Sequence, residues 1–384
     1  MNLFLLWLAA ITLAVVLVFT MRLMIGTRRI GHLIESSPLE GDDAPKVSII
    51  VAARNEASNI EAGLQSLLAQ DYPKFEIVAI NDRSTDSTGQ IIDGLAYDDD
   101  RVEVFHVHEL PPTWLGKNHA LEMGARHATG DWLLFTDADV VMDPSVLRRA
   151  IHYATENQID HLAALPRILM PNWFLDAFVI TFGVYFTAYF QPWRVKNPKS
   201  RCYVGIGAFN LIRAEVYRGI GTHKAIAMRP DDDVKLGKLV KNHGFRQEML
   251  YAPRLMHVPW YGSLREVVVG LEKNAFSGVD YKIWMIVLSS AVALVMHVWP
   301  FVAVFITSGT TRWLNVAIVA CLLVLCLDAA IHYRYRWWCA FAFPLTVLVF
   351  VFIQWRAMLL TIRNDGIRWR DTHYSLTELK ENQV

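Results

Sequence analysis

Asp137 and Asp139 stand two residues apart at the end of the apolar run Trp132-Leu133-Leu134-Phe135. On an extended chain, residues two apart share a side, so both carboxylates face one site. Adjacent carboxylates repel unless one is protonated or a cation lies between them. A divalent ion such as Mg2+ or Mn2+, held by one or two carboxylates and by substrate phosphates, is the usual resolution. Asp-x-Asp also occurs at 98–100 and 231–233; the strand-end position singles out the copy at 137–139.

A second acidic cluster, Asp231-Asp232-Asp233, follows Arg229-Pro230 and opens the helical run 234–242. Capping and the helix dipole favour carboxylates there, which accounts for one or two of them. Three in a row point to one held as a general base. Two earlier apolar runs also end in polar bursts, Ala53-Arg54-Asn55-Glu56 and the stretch Asn81 to Thr88. Their acidic and amide groups suit a base edge and ribose hydroxyls. Ser84, Asp86 or Ser87 equally suit helix N-caps, whereas Glu56 and Asp82 are read as ligand-binding. Lys117 follows Gly116 in a loop stiffened by Pro111 and Pro112. Glycine lets backbone approach a ligand, and the ammonium suits a diphosphate. The segment Val204-Gly205-Ile206-Gly207-Ala208-Phe209-Asn210 has the glycine density of a close backbone approach. His257 reads as a packed or hydrogen-bonded histidine.

These groups need a scaffold that levels several strand ends. Between residues 45 and 260, β-rich runs at 47–52, 76–80, 102–105 and 132–136 alternate with helical stretches at 59–70, 87–95 and 117–128. Continuous apolar strands separated by helices make a mostly parallel α/β sheet covered on both faces. Ligands of such sheets sit beyond the carboxyl ends of the strands.

The chain of 384 residues is 53% hydrophobic and 19% charged, too apolar for an ordinary soluble enzyme. Its 37 basic and 37 acidic residues balance, so no net field draws it to nucleic acid. Cys202, Cys321, Cys326 and Cys339 are scattered and read as small buried hydrophobes. Residues 3–25 are long enough to cross a bilayer, and Arg22 near their end with Arg28 and Arg29 behind them mark an uncleaved anchor with the following chain in the cytoplasm. Three more segments, Ile283–Ile306, 313–331 and 337–355, are near spanning length. Three crossings from the cytoplasm would put Arg363, Arg368 and Arg370 outside, against the positive-inside tendency, so either one segment is re-entrant or the tail is exposed. Asp328 lies in one of these segments and is expected to pair with Arg334 or Arg336. A crossing by Trp173–Phe190 would split the sheet, so that stretch is expected to be an interfacial helix, followed by Arg194, Lys196, Lys199 and Arg201 at lipid headgroups. Residues 264–278 are amphipathic and expected on the membrane surface. The expected division is an anchor at 1–27, the α/β domain at 45–260, the interfacial helix at 261–280, membrane helices at 281–362 and a tail at 363–384.

Taken in order, Ala53-Arg54-Asn55-Glu56, Asn81 to Thr88, Gly116-Lys117-Asn118-His119-Ala120, Asp137-Ala138-Asp139 and Asp231 to Leu236 resemble the family 2 glycosyltransferases of GT-A fold. The resemblance covers about residues 45 to 260. It implies contacts to a nucleotide-sugar donor, UDP-linked, from Ala53, Arg54, Glu56, Asp82, Lys117, Asp137, Ala138, Gly207 and Asn210. It implies Mn2+ or Mg2+ on Asp137 and Asp139. It also implies Asp233 as the base of an inverting transfer, with Asp232 where the family usually has Glu. The flanking apolar segments, the Trp114-Leu115-Gly116-Lys117 loop and the stretch Trp369-Arg370-Asp371-Thr372-His373-Tyr374 look like the lipid-modifying branch, similar to ceramide, hopanoid and carotenoid glycosyltransferases. That branch implies a lipid acceptor and a multi-pass protein of the inner membrane with a cytoplasmic catalytic domain. Processive synthases carry Gln-x-x-Arg-Trp after the base; none follows Asp233, which favours single transfer. A processive polysaccharide synthase of the same fold and an inactive membrane scaffold are the alternatives.

Overall fold

A computed structural model describes residues 3–369 and 372–382. Arg370 and Asp371, invoked above for tail charge and the terminal motif, lie outside the described residues. The chain divides into two compact bodies. An α/β body takes 30–168, 192–259 and the segment from Glu378; a helical body takes the rest.

The chain opens with α1 (Leu3–Thr27) of the helical body. The α/β body then runs β1 (Val47–Ala53), α2 (Ile60–Leu68), β2 (Phe75–Asp82), α3 (Thr88–Asp98), β3 (Val102–Val107), α4 (Gly116–His127) and β4 (Trp132–Asp137). It continues through β5 (Val141–Met142), α5 (Val146–Glu156), β6 (His161–Leu165) and β7 (Arg167–Leu169). After α6 (Trp173–Phe190), which belongs to the helical body, come β8 (Asn210–Arg213), α7 (Ala214–Gly219), α8 (Asp232–Asn242), β9 (Gln247–Tyr251) and β10 (Met256–Pro259). The four expected strands form in place, and those ending at 82, 107 and 137 reach further toward the polar bursts than their apolar runs alone indicate.

Seven strands make the main sheet in the order β3-β2-β1-β4-β8-β6-β9, and β5-β10-β7 form a smaller one. β1 is parallel to both β2 and β4, with Ala53 opposite Asn81 and Ala52 opposite Asp137. This register ends three strands at one level. The sheet holds it because Ile50, Val78, Ile80 and Leu133 are fully buried beneath α4 and α8, against Ala120, Leu121, Leu236 and Val240. A one-residue slip of any strand would turn these side chains to the wrong face.

The helical body adds α9 (Leu264–Ser277), α10 (Ile283–Ala293), a π turn at Leu294–Val298, α11 (Trp299–Ile306), α12 (Gly309–His332) and α13 (Phe343–Arg363). The hairpin β11 (Gly366–Trp369) and β12 (Thr372–Ser375) follows, and α14 (Leu376–Glu381) leads back to the α/β body. Among the described residues, five helical stretches are long and apolar enough to cross a membrane: Leu3–Thr27, Trp173–Arg194, Ile283–Ile306, Gly309–His332 and Trp337–Arg363. α6 does not stand apart from the others, for Ala177 and Ile180 pack with Val16, Ile318, Leu322 and Val347. Asp328 corrects the expected pairing. Its partner is Arg28, at 2.6 Å, because α1 lies along α12. His257 also departs from expectation, since its side chain on β10 is exposed.

Candidate active site

The level strand ends form the floor of the site, and backbone-to-side-chain bonds lock the loops above it. Asn55 N–H donates to Ser84 Oγ at 3.0 Å, and Thr85 N–H donates to Asn55 Oδ1 at 2.8 Å. Ala57 N–H reaches Asp86 Oδ2 at 3.2 Å, and Glu56 N–H reaches Thr88 Oγ1 at 2.8 Å. Ser87 stands at the N-cap of α3 without a side-chain cap bond, and Asp86, one residue earlier, accepts from Thr88 N–H at 3.0 Å. Asn55 and Arg83 turn the chain with φ of 56° and 55°, values that asparagine tolerates better than most residues. The strand-end groups Ala53, Arg54, Glu56 and Asp82 are thereby set in one rigid rim.

Asp82 is buried and meets Arg83 in a two-pronged pair, Nε–Oδ1 2.7 Å and Nη2–Oδ2 3.0 Å. Gly116 packs directly on this pair. A Cβ there would stand 2.5 Å from both Asp82 Oδ2 and Arg83 Nη2. That spacing supplies the physical reason for glycine before Lys117.

Lys117, on the first turn of α4, ties the two acidic clusters together. Its ammonium is 2.8 Å from Asp137 Oδ1 and 3.5 Å from Asp232 Oδ2. Burial disfavours its charge, but Asp137, Asp232 and Asp233 outweigh burial and hold the ammonium firmly protonated. Beside it, buried Asn118 donates to three carbonyls, Ile226 at 2.7 Å, Ala227 at 3.2 Å and Arg229 at 2.9 Å. α4 thus grips the segment that delivers Asp231 to Asp233. The sequence places Asn118 in the Gly116–Ala120 motif but gives it no role of its own.

The three aspartates are not equivalent. Asp231 faces buried Arg229, with 3.1 Å and 3.2 Å contacts, and Lys235 at 3.6 Å. Its role is structural, and the Arg229-Pro230 dipeptide is the one sequence hint of it. Asp232 faces Lys117. Asp233 Oδ2 accepts from Gly207 N–H and its Oδ1 from Val234 N–H, both at 2.8 Å. Burial and then neighbouring Asp232 push its carboxyl up to about 7.

Glycines let the 204–210 loop lie against this helix start. A Cβ on Gly205 would be 1.8 Å from the Asp233 carbonyl oxygen, and one on Gly207 would be 2.8 Å from Asp137 Oδ2. Gly63 of α2 meets the Ala138 carbonyl in the same way, at 2.3 Å. Asn210 is buried below the loop, where Oδ1 accepts from Ile206 N–H at 3.2 Å and lies 3.1 Å from His161 Nε2. Its place is that of a support for the glycine loop.

Asp139 is pushed up to about 7 by burial and by the like charges of Asp137 and Glu56. Among the described residues no three His, Cys, Asp or Glu side chains form a closed metal cage. Two crowded carboxylates, one already countered by Lys117, fit an oxygen-seeking divalent ion that completes its shell with phosphates and water.

Residues 48–221 match the family described as Glycosyl transferase family 2. The chain carries a family 2 glycosyltransferase domain. Over 132 residues, 34% of this chain, the domain is 32% identical to poly-beta-1,6-N-acetyl-D-glucosamine synthase of Staphylococcus aureus (strain COL). It is 30% identical over 115 residues, 30% of this chain, to an uncharacterized glycosyltransferase of Haemophilus influenzae. The matches span 30% and 44% of those relatives. The mannosyltransferase PcManGT from Pyrobaculum calidifontis, solved in complex with GDP-Man and Mn2+, aligns with TM-score 0.54 and 19% identity over 93% of this chain and 98% of that one. At this identity the likeness is one of fold: the transferase domain is a GT-A α/β sheet.

Proposed function

We propose that the protein is a membrane-bound inverting glycosyltransferase that moves a sugar from a nucleotide sugar, UDP-linked, to the hydroxyl of a lipid. The observation that carries this reading is Lys117 held between Asp137 and Asp232, with Asp233 fixed beside them by Gly207 N–H. A single array then offers positive charge for a diphosphate and a shielded carboxylate for a hydroxyl proton. Glu56 and Asp82 meet the nucleoside, with Ala53 and Arg54 along the same strand end and Ala138 and Gly207 close to the diphosphate. Asp137 and Asp139 would hold Mn2+ or Mg2+, which supplies charge neutralisation on the departing nucleotide diphosphate.

Asp233 accepts the proton of the acceptor hydroxyl, whose oxygen attacks the anomeric carbon as the bond to the diphosphate breaks. One displacement inverts the configuration. Raised to about 7, the Asp233 carboxyl is matched to general-base work near neutral pH. Lys117 keeps its charge throughout and favours the diphosphate as it gains negative charge. The apolar helices support association with a membrane, where a lipid acceptor would be at hand.

A second reading, a polysaccharide synthase of the same fold, is favoured by the Staphylococcus relative. An Arg368-Trp369 pair does occur after the base, with Asp365 where the synthase pattern has Gln. The two readings part on the product. Full-length protein in detergent, supplied with a membrane lipid extract, is incubated with a panel of radiolabelled nucleotide sugars and Mn2+ or Mg2+. Label entering the organic phase, lost with EDTA and in Asp139→Ala, is the expected result. Label confined to a large water-soluble product would replace lipid transfer with polymer synthesis. No turnover of any donor by folded protein would remove the enzymatic reading.

A further inference from the structure

We propose that only three of the five long apolar stretches cross the membrane. α6 and the Trp337–Arg363 segment are instead immersed in a single leaflet, on the side of the α/β body, and their partner is the acyl chains of that leaflet.

A hydrogen-bonded open sheet lies in one compartment, because its backbone edges are not tolerated in hydrocarbon. Any excursion of the chain away from that sheet and back must therefore cross the bilayer an even number of times. The excursion through α6 contains one apolar stretch. Before it comes β6 and after it come β8 and β9, yet β6 pairs with both, Leu162 opposite Leu211 and Glu248. One helix between two strands of one sheet is not a crossing.

The second excursion, from Trp260 to Thr377, contains three apolar stretches. It also returns, since Asn382 Nδ2–H donates to the Ala225 carbonyl and Met228 N–H donates to Asn382 Oδ1, both at 3.1 Å. Three is odd, so one of them does not cross. The Arg28–Asp328 pair identifies which. Arg28 follows the last residue of α1, at the end that leads into the α/β body, and Asp328 sits one turn before the end of α12. α12 thus ends on the side where α1 ends. α10–α11 and α12 make an out-and-back pair that turns at Thr307 and Ser308, where Gly309 has φ 58°.

The Trp337–Arg363 segment then begins and ends on one side. Side-chain contacts give it the shape of a re-entrant element. The Phe343 ring lies 5.7 Å from His297, midway along α10–α11, while Trp355 Nε1–H donates to Ser290 Oγ at 2.9 Å, nearer the start of α10. α13 therefore climbs from depth back toward the surface. Trp337, Phe341, Leu345, Phe352 and Leu359 are more than half exposed, as side chains solvated by lipid are. Charge agrees. Arg28, Arg29, Arg334, Arg336, Arg363 and Arg368 fall on one side, and the opposite turn at 307–312 carries Arg312.

The test introduces one cysteine at a time into the full-length chain at exposed Ser37, Lys199, Ser308, Arg336 or Lys380. Sealed membrane vesicles are treated with a membrane-impermeant maleimide before and after detergent, with native Cys202 of the α/β body as an internal reference. Ser37→Cys, Lys199→Cys, Arg336→Cys and Lys380→Cys should share one protection pattern, and Ser308→Cys should show the opposite one. Opposite patterns at Ser37→Cys and Lys199→Cys would mean that α6 crosses. Lys380→Cys behaving like Ser308→Cys would mean that α13 crosses, and either result overturns the proposal. In vesicles opened to both sides with the bilayer intact, Phe341→Cys should stay unlabelled by the impermeant maleimide that labels Arg336→Cys, because an acyl-chain environment keeps the thiol protonated. Labelling of Phe341→Cys to the extent of Arg336→Cys would place that segment in water and refute its immersion.

Discussion

The tripeptide Asp-Asp-Asp occurs twice in this chain, at 98–100 and at 231–233, with opposite fates. The first copy closes α3, where the helix dipole disfavours carboxylates. Asp98 and Asp100 are exposed there, and Asp99 turns to Arg101 at 2.7 Å. The second copy opens α8, where the dipole favours them. Each of its carboxylates has a different partner: Arg229 and Lys235 for Asp231, Lys117 for Asp232, and two backbone N–H groups for Asp233. Composition is the same in the two places. What sets the second copy apart is the set of donors that α4 and the glycine loop bring to it.

The sharpest way to break this contrast is to neutralise both copies. Asp233→Asn should lower kcat by about 10²–10⁴, the usual worth of a general base. Replacing Asp98, Asp99 and Asp100 together by Asn should leave turnover within about twofold, as surface charges do. Comparable losses in the two proteins, read as initial rates of sugar transfer with circular dichroism confirming the fold, would show that the second copy holds no base.

Legibility in the sequence followed the same divide. The apolar runs of β1, β2 and β4 and the polar bursts behind them were readable, because strand period and burial are local properties. Lys117, Asp137, Asp139 and the 231–233 cluster stand out for the same reason, as charged groups at the ends of strands and the starts of helices. Which aspartate does what was not, because Arg229, Lys117 and Gly207 N–H reach these carboxylates only through the fold. The role of Asn118 was not legible, since its three acceptor carbonyls lie more than a hundred residues away. Asp328 was assigned to the nearest arginines in sequence, whereas α1 supplies Arg28 from 300 residues away.

A comparison between two glycines sharpens the contrast at a smaller scale. Gly205→Ala puts a Cβ 1.8 Å from the Asp233 carbonyl, so the first turn of α8 must move. A displacement near 1 Å costs on the order of 10² in rate, and kcat should fall by about that factor with donor KM little changed. Gly94, in the middle of α3, faces open space. Gly94→Ala should keep full activity and raise stability by about 0.5–1 kcal/mol through helix propensity. An active Gly205→Ala would mean that the glycine loop does not set the base.

Next in size is the response to pH. Asp233 must be ionised to accept a proton, and burial with Asp232 raises its carboxyl from 3.8 to about 7. The rate should therefore rise with pH through about 7, and Asp232→Asn should move that limb to lower pH by removing a like charge. Folding runs the other way. Asp139 and Asp233 both bind protons more tightly when folded. The stability this contributes is complete below about 4 and is lost as pH rises through about 7. Mn2+ should offset the loss, so it should raise the thermal midpoint more at pH 8 than at pH 5, and Asp139→Asn should abolish that gain. Equal Mn2+ effects at the two pH values would remove the cation from these carboxylates.

The smallest expected effect belongs to Asp99, and its sign is opposite. Hydrogen bonds from the Arg101 side chain and backbone N–H hold its carboxyl at about 2, below its ordinary 3.8. Such a group stabilises the fold above its unfolded value and loses that contribution as pH falls through about 2. Because the pair lies in solvent, screening and side-chain entropy leave it worth about 0–1 kcal/mol. Asp99→Asn should thus shift the thermal midpoint by no more than a few degrees at pH 7 and by less at pH 2.5. The Asp139→Asn shift should have the reverse dependence, with the stabilising effect of the substitution growing from pH 5 to pH 8. One kind of side chain would then destabilise or stabilise by its removal according to whether a cation or another carboxylate is its nearest charge. Parallel pH curves for the two substitutions would show that the contrast between solvated and crowded aspartates does not govern this protein.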